Sequence, residues 1–524
     1  MYPKFKDVLT EYIKSDPNQT VGLFQLGLMH LYGTKYPQDT EKGLNLIKEA
    51  AKSYPFAYTF LGMAYIDGDN VEKDVDKGIK YLEKAVRLKD DKALIQLSNV
   101  YLHNQYVPQN VRKAIRLLNK AVDNNNVEAM VQLGIIYLGT SYNKSEFQKA
   151  YDLLCKASAL GSANANAFLG LMYEGGNGVT QDKHKALKHY LKATSGNSNI
   201  AHFFLGRQYL KGEIVKRNIN EAISHFLVAA EAGLVDAMNT LVEIYLDKSL
   251  EAYSPKHGLD YVKKLFDNKE SSGYYYMGKF LITGEYYPQN IKKGLKYLRF
   301  ANNVDAYLYL GQIYQKGVYS NYNVYLALLY YLRGAELGSS KCMVLAAEVI
   351  LDEGISADYL SLIKFAIKLN NADAYYLLGK CYLEGKEVIQ NNKKAFNQFL
   401  KAANNGSAKG TRFLGMAYLF GIGIKKDLDK AINYLLEAIE LKDYLSALII
   451  GKALIDNFND NEYLQLAKKY FLLAAKHKIG DAYYYLSLME ENDKAIELLK
   501  KGIRLGSVLT KEAYKKLNED KLKK

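Results

Sequence analysis

The sequence has no tryptophan, 7 prolines and 3 cysteines in 524 residues. Each shortage excludes something. Cys155, Cys342 and Cys381 lie far apart, and none stands in a CxxC or other paired arrangement. That argues against a disulfide framework and a structural zinc, and it fits a reducing compartment. So few prolines suit a chain of uninterrupted helices. No apolar run reaches the roughly 20 residues of a bilayer span. The opening MYPKFKDVLTEYIKSD is amphipathic and charged, unlike the apolar core of a signal peptide. A soluble intracellular, cytoplasmic protein is the expectation. The 8 histidines form no HExxH, and there is no nucleophile elbow, phosphate loop or dinucleotide fingerprint. The chain is therefore read as no enzyme, with no catalytic residues, no metal and no cofactor.

What is abundant is tyrosine, at 46 residues, and positive charge, at a net +14. A basic balance admits nucleic acid, an acidic surface or an acidic protein as partner. Basic and acidic residues are mixed along the whole length, however. The densest basic patches are Lys292, Lys293, Lys296 and Arg299, and the tail from Lys511 to Lys524. Both read as solvated helix faces.

One stretch sets the pattern. Residues 164–197 read NANAFLGLMYEGGNGVTQDKHKALKHYLKATSGN. Leu169, Gly170 and Tyr173 share a helical face. A loop carries Gly176 and Val179, and Asp182 opens a second helix with Ala186, Tyr190 and Ala193 inward. Such a hairpin is too small to bury its own apolar faces, so it needs copies beside it. The small residue of the pair recurs at 27, 62, 98, 134, 170, 206, 242, 278, 311, 346, 379, 415, 451 and 487. The spacing stays between 33 and 36 residues. A small residue there lets the second helix approach closely. The tyrosine three residues on covers the seam between the helices. Glycines such as Gly68, Gly212 and Gly421 end first helices. Asp74, Asn110, Asp182, Asn391 and Asp427 are placed to cap second helices. Asp236, Asp305, Asp373 and Asp481, each followed by Ala, are read as caps of first helices.

The recurring LGxxYxxGxxVxxDxxKAxxYLxKAA resembles the Sel-1-like repeat, a relative of the tetratricopeptide repeat with a longer loop. The resemblance covers roughly residues 21–506. It implies an all-α fold, a right-handed α-solenoid superhelix of about fourteen hairpins, serving as a protein–protein interaction scaffold or adaptor. Residues 1–20 are expected to form an N-terminal capping helix, at Lys4 to Lys14, and residues 507–524 a C-terminal capping helix and basic tail, with a polar helix from Thr510 to Lys523. The units around Val242, Gly278 and Ala346 depart from the pattern, and a pitch change or hinge is expected between 242 and 372.

By analogy with tetratricopeptide repeats, first helices line a concave groove. Residues three before and one after the small residue then face a partner. In the middle and later units these are Phe203 and Arg207, Asn239 and Glu243, Tyr275 and Lys279, Leu308 and Gln312, Tyr376 and Lys380, and Arg412 with Met416. The early units hold apolar residues there, including Val131 and Ile135. The partner is expected to be a protein or peptide along the central and later groove. Single-stranded nucleic acid, through tyrosines and basic residues, is an alternative that even charge mixing disfavours. Self-assembly into a structural protein is a further one.

Overall fold

The computed structural model describes residues 19–103, 107–140, 144–458 and 460–522. Among them are 29 α-helices and no strand. The leading helix expected at Lys4 to Lys14 lies outside the described residues. By its contacts the chain divides into two compact units, Met1–Tyr261 and Val262–Lys524. Within each unit consecutive helices pair into antiparallel hairpins, and each hairpin stacks on the next.

The hairpin of helices Ala163–Gly175 and Lys183–Ser195 shows why these residues fold this way. The Ser162 hydroxyl accepts the Ala165 amide at 3.2 Å and starts the first helix. Gly176 ends it with a left-handed φ of +70°, which only glycine adopts without strain. The Asp182 carboxylate accepts the Lys185 amide at 2.9 Å and starts the second helix. The same bond is made by Asp74, Asn110, Asn290, Asn323, Asn391 and Asp427. Gly170 is small because the fully buried Tyr190 ring lies over it; a β-carbon there would sit 2.6 Å from the ring. Ala193 and its equivalents, among them Ala85, Ala121, Ala229 and Ala438, are fully buried between hairpins.

One cap assignment needs correction. Asp236, Asp305, Asp373 and Asp481 do not cap first helices. Each sits in the first turn, two residues after the true N-cap at Leu234, Asn303, Asn371 or Ile479. A carboxylate in the first turn still favours the positive helix end. Two of them also tie repeats together. The Ser407 hydroxyl donates to Asp373, and the Ser507 hydroxyl donates to Asp481. The cap of one hairpin is thereby bonded to the first turn of the hairpin before it.

The departures have structural consequences. Loops pack on the start of the preceding second helix: a β-carbon at Gly178 would meet Phe147 at 2.8 Å. The unit around Ala346 has only residues 354–358 between helices Ser340–Glu353 and Tyr359–Lys368. Its shortened loop leaves Tyr325, at the start of the preceding second helix, 72% exposed. At the C-terminal end, helices Gly480–Ser487 and Asn492–Arg504 are joined by residues 488–491, and helix Val508–Leu522 packs against both.

Candidate protein-binding face

First helices of neighbouring repeats touch one another. Helix Ala163–Gly175 contacts Asn199–Lys211, and Ala372–Glu384 contacts Ala408–Phe420. Second helices of neighbouring repeats stay further apart among the described residues. First helices therefore form the inner face of each unit. A side-chain bond confirms the inner position: Lys409 reaches past the intervening first helix to Glu348, with Nζ–Oε1 at 2.5 Å.

In the first unit this face is apolar and open. Two adjoining concavities share Gln132 and Ile135. One, of about 600 Å³, is lined by Val131, Ile135, Phe168 and Ile200, with Asn164 and Glu128 at its edge. The other, of about 390 Å³, is lined by Asn99, Leu102, Val111 and Ile136. Further along the same helices Phe203 and Arg207 are half-buried. The Phe203 ring packs against Phe204 and Phe226, which fixes its direction. Asn239 is half-buried and its side-chain oxygen is shut off from solvent, whereas Glu243 is exposed.

In the second unit the inner face is bridged by charge. Lys380 Nζ lies 2.7 Å from Asp352, and Arg412 lies 3.4 Å from Asp443 with both side chains nearly buried. Burial acts to lower the Lys380 pKa, but the Asp352 carboxylate outweighs it and the ammonium is held above its ordinary value. Asp443 is pushed up by burial, with Arg412 opposing. Tyr376 is 5% exposed, under Lys409 and against Phe413, and burial pushes its phenol up to about 12. Tyr376 thus belongs to the floor of this face, with Lys380 and Arg412 paired above it. Tyr275, Lys279, Leu308, Gln312 and Met416 are half-buried on the same side, and Lys279 leans over the Tyr275 ring. A third concavity, of about 640 Å³, lies among the last three helices, around Tyr484, Leu499 and Leu517.

Several histidines gather at positions that carry no repeat signal. His225 stacks on Tyr209 and His189 on Tyr173. His202 and His225 meet through their Nδ1 atoms at 2.9 Å, although 23 residues apart. One nitrogen must donate and the other accept, so the pair holds only while at least one ring is neutral. Burial lowers both pKa values from the ordinary histidine value, and for His225 the neighbouring His202 adds to the effect. His30, which replaces the repeat tyrosine, is buried and stacked on Tyr36. No group of three or more His, Cys, Asp or Glu side chains able to hold a metal occurs among the described residues.

The architecture defines a class: an α-solenoid of helical hairpins with an inner face of first helices. Eleven segments match the Sel1 repeat, at residues 20–53, 55–90, 91–126, 127–162, 163–198, 199–234, 271–303, 304–339, 372–407, 408–443 and 474–507. They cover well over half of the chain, and the chain belongs to the Sel1 repeat family. The units around Val242 and Ala346, which depart from the pattern, fall between matched segments, as does the unit around Gly451. An uncharacterized protein of Neisseria meningitidis serogroup B is 26% identical over 217 residues, which are 40% of this chain and 44% of that protein. The chain thus matches less than half of that relative's length. Among solved structures, a protective antigen of uropathogenic Escherichia coli with an SLR fold is 18% identical, with a TM-score of 0.36 over 98% of this chain and 97% of that one. A Sel1 repeat protein from Oxalobacter formigenes is 25% identical, with a TM-score of 0.29 over 67% of this chain and 91% of that one. Sel1 repeat proteins are generally protein-interaction scaffolds without catalysis. No helix among the described residues is long and apolar enough to cross a membrane.

Proposed function

We propose that this chain is a non-enzymatic scaffold that holds a partner protein along the inner face of its first helices. One observation carries the reading: the two adjoining apolar concavities around Ile135. They run across helices Asp91–His103, Val127–Thr140, Ala163–Gly175 and the start of Asn199–Lys211. A groove of that kind suits an amphipathic helix, whose anchors recur every three to four residues. Its lining includes Glu128 and no Lys or Arg, which favours a peptide over nucleic acid. Phe203 and Arg207 extend the groove in the first unit. Within the second unit, taken by itself, the corresponding face presents Tyr275, Lys279, Leu308, Gln312, Lys380 and Arg412, with Tyr376 as floor. There recognition would require a partner carboxylate to compete with Asp352 or Asp443.

The test replaces apolar lining by charge. In the native cell, a tagged chain carrying Ile135→Asp and Ile200→Asp should lose its co-purifying partner while keeping its helicity. Both side chains are half-buried at the edge of the open groove, outside the fully buried core, so the fold tolerates the change. A partner retained by this double variant and lost by Lys380→Glu with Arg412→Glu would move the contact to the second unit. Retention by both pairs would reject the inner face.

A further inference from the structure

Four consecutive second helices of the first unit carry an array of cations on their outer face. The helices are Val75–Arg87, Val111–Asp123, Lys144–Ala159 and Lys183–Ser195. Six residues after the N-caps Asp74, Asn110 and Asp182 stand Lys80, Arg116 and Lys188, and Asp152 holds the same place in the 36-residue register. One helical turn later, at the same interval, stand Lys84, Lys120, Lys156 and Lys192. Residues four apart share a helix face. Seven of these eight equivalent positions are therefore basic and point away from the first helices. All eight side chains are exposed.

These cations are not used within the fold. Among the described residues Lys80, Arg116, Lys120, Lys156, Lys188 and Lys192 make no ion pair, and Lys84 leans over the Tyr58 ring. The lysines three residues after the caps differ. Lys77, Lys113, Lys149 and Lys185 cover the repeat tyrosines 65, 101, 137 and 173. The single acid in the array, Asp152, accepts from Gln148. The array stops at both ends: the first hairpin has Asn45 and Glu49 at the equivalent places, and the sixth has Ser224 and Val228. In the second unit the pattern does not run through consecutive helices: Lys364 with Lys368 is basic at both places, but its neighbours are Leu329 with Arg333 and Asn397 with Lys401, and further on Asn433 with Glu437.

We infer that this outer face docks on an anionic lipid bilayer, as a peripheral attachment. Four helices side by side, each with two such places one turn apart, make the array two-dimensional. A sheet of anionic headgroups presents charge in the same way, and each Lys or Arg near such a surface strengthens binding about fivefold. A single nucleic-acid strand would need a groove with aromatic stacking platforms. The one exposed large hydrophobic side chain on these four helices, among the described residues, is Leu191, and it is aliphatic. The inner groove faces the opposite way, so a docked chain keeps it free for a partner. This attachment does not depend on the scaffold reading.

The test is flotation of the full chain with phosphatidylcholine vesicles, with and without about 30% phosphatidylglycerol. The chain should float with the anionic vesicles only and leave them in about 0.5 M salt. The variant R116E/K120E/K188E/K192E should bind them at least ~100-fold more weakly. The variant K393E/K401E/K425E/K426E removes the same charge from exposed sites of the second unit and should lose only a few-fold. The Gln versions of the first set, with helicity checked by circular dichroism, guard against misfolding and should give an intermediate loss. Absence of flotation, or equal loss in both charge-reversed variants, overturns the proposal. So does tighter binding to a single-stranded or duplex oligonucleotide that the first-unit variant abolishes.

Discussion

Two glycines in neighbouring repeats show how much one carbon matters here. Gly170 faces the Tyr190 ring, while a β-carbon at Gly139 would meet nothing within 4 Å. Alanine favours a helix over glycine by up to about 1 kcal/mol. At Gly139, in helix Val127–Thr140, that gain is unopposed, so Gly139→Ala raises stability by up to about 1 kcal/mol. At Gly170 overpacking opposes it, because the buried tyrosine has no room to turn. Gly170→Ala therefore lowers stability by about 1–2 kcal/mol net. Urea unfolding midpoints of the two variants should move in opposite directions. The caps give a second residue-scale prediction. Asn323→Ala removes the acceptor for the Leu326 amide and costs about 1 kcal/mol. Asn323→Asp keeps the acceptor and should leave the midpoint near that of the parent.

At the scale of helices and hairpins, the histidines make the first unit sensitive to acid. His189, His202 and His225 all have pKa values lowered first by burial. The unfolded chain therefore takes up these protons at a higher pH than the folded one. The stability is fully present above the ordinary histidine value of 6.5. It falls as pH drops through that value toward the lowered ones. Melting at pH 7.5 and 5.5 should show the loss, and His202→Gln with His225→Gln should reduce it. An unchanged pH response in that variant would show that the pair does not titrate as described. Hairpins were legible in the sequence because their signals are local: a small residue, a tyrosine one turn on, glycine, then Asp or Asn. The His202–His225 contact was not, because its partners sit on different helices and neither position belongs to the repeat pattern. The Asp-Ala caps were misread for a related reason. A cap and a first-turn acid are two residues apart, and only the backbone path separates them.

For the whole molecule, repetition made the fold readable, since each hairpin restates the same packing problem. The site was readable only as positions. Of the positions three before and one after the small residue, Ile135 borders two apolar concavities, whereas Lys380 and Arg412 are paired with Asp352 and Asp443. What those positions offer depends on neighbours one and two repeats away. Lys409 crosses to Glu348 over Tyr376, and no local pattern announces that bridge. The outer cations of the first unit were hidden likewise, because along the sequence they are interleaved with acids such as Asp76, Glu83, Asp123 and Asp152. The inner face is the centre of this account, and photocrosslinking in the native cell tests it most directly. A photoreactive residue is placed at Ile135, at Phe203, and at the outer position Val228. Ile135 and Phe203 should each capture the same discrete protein, and Val228 should not. Capture of that protein from Val228 alone would contradict the inner-face reading.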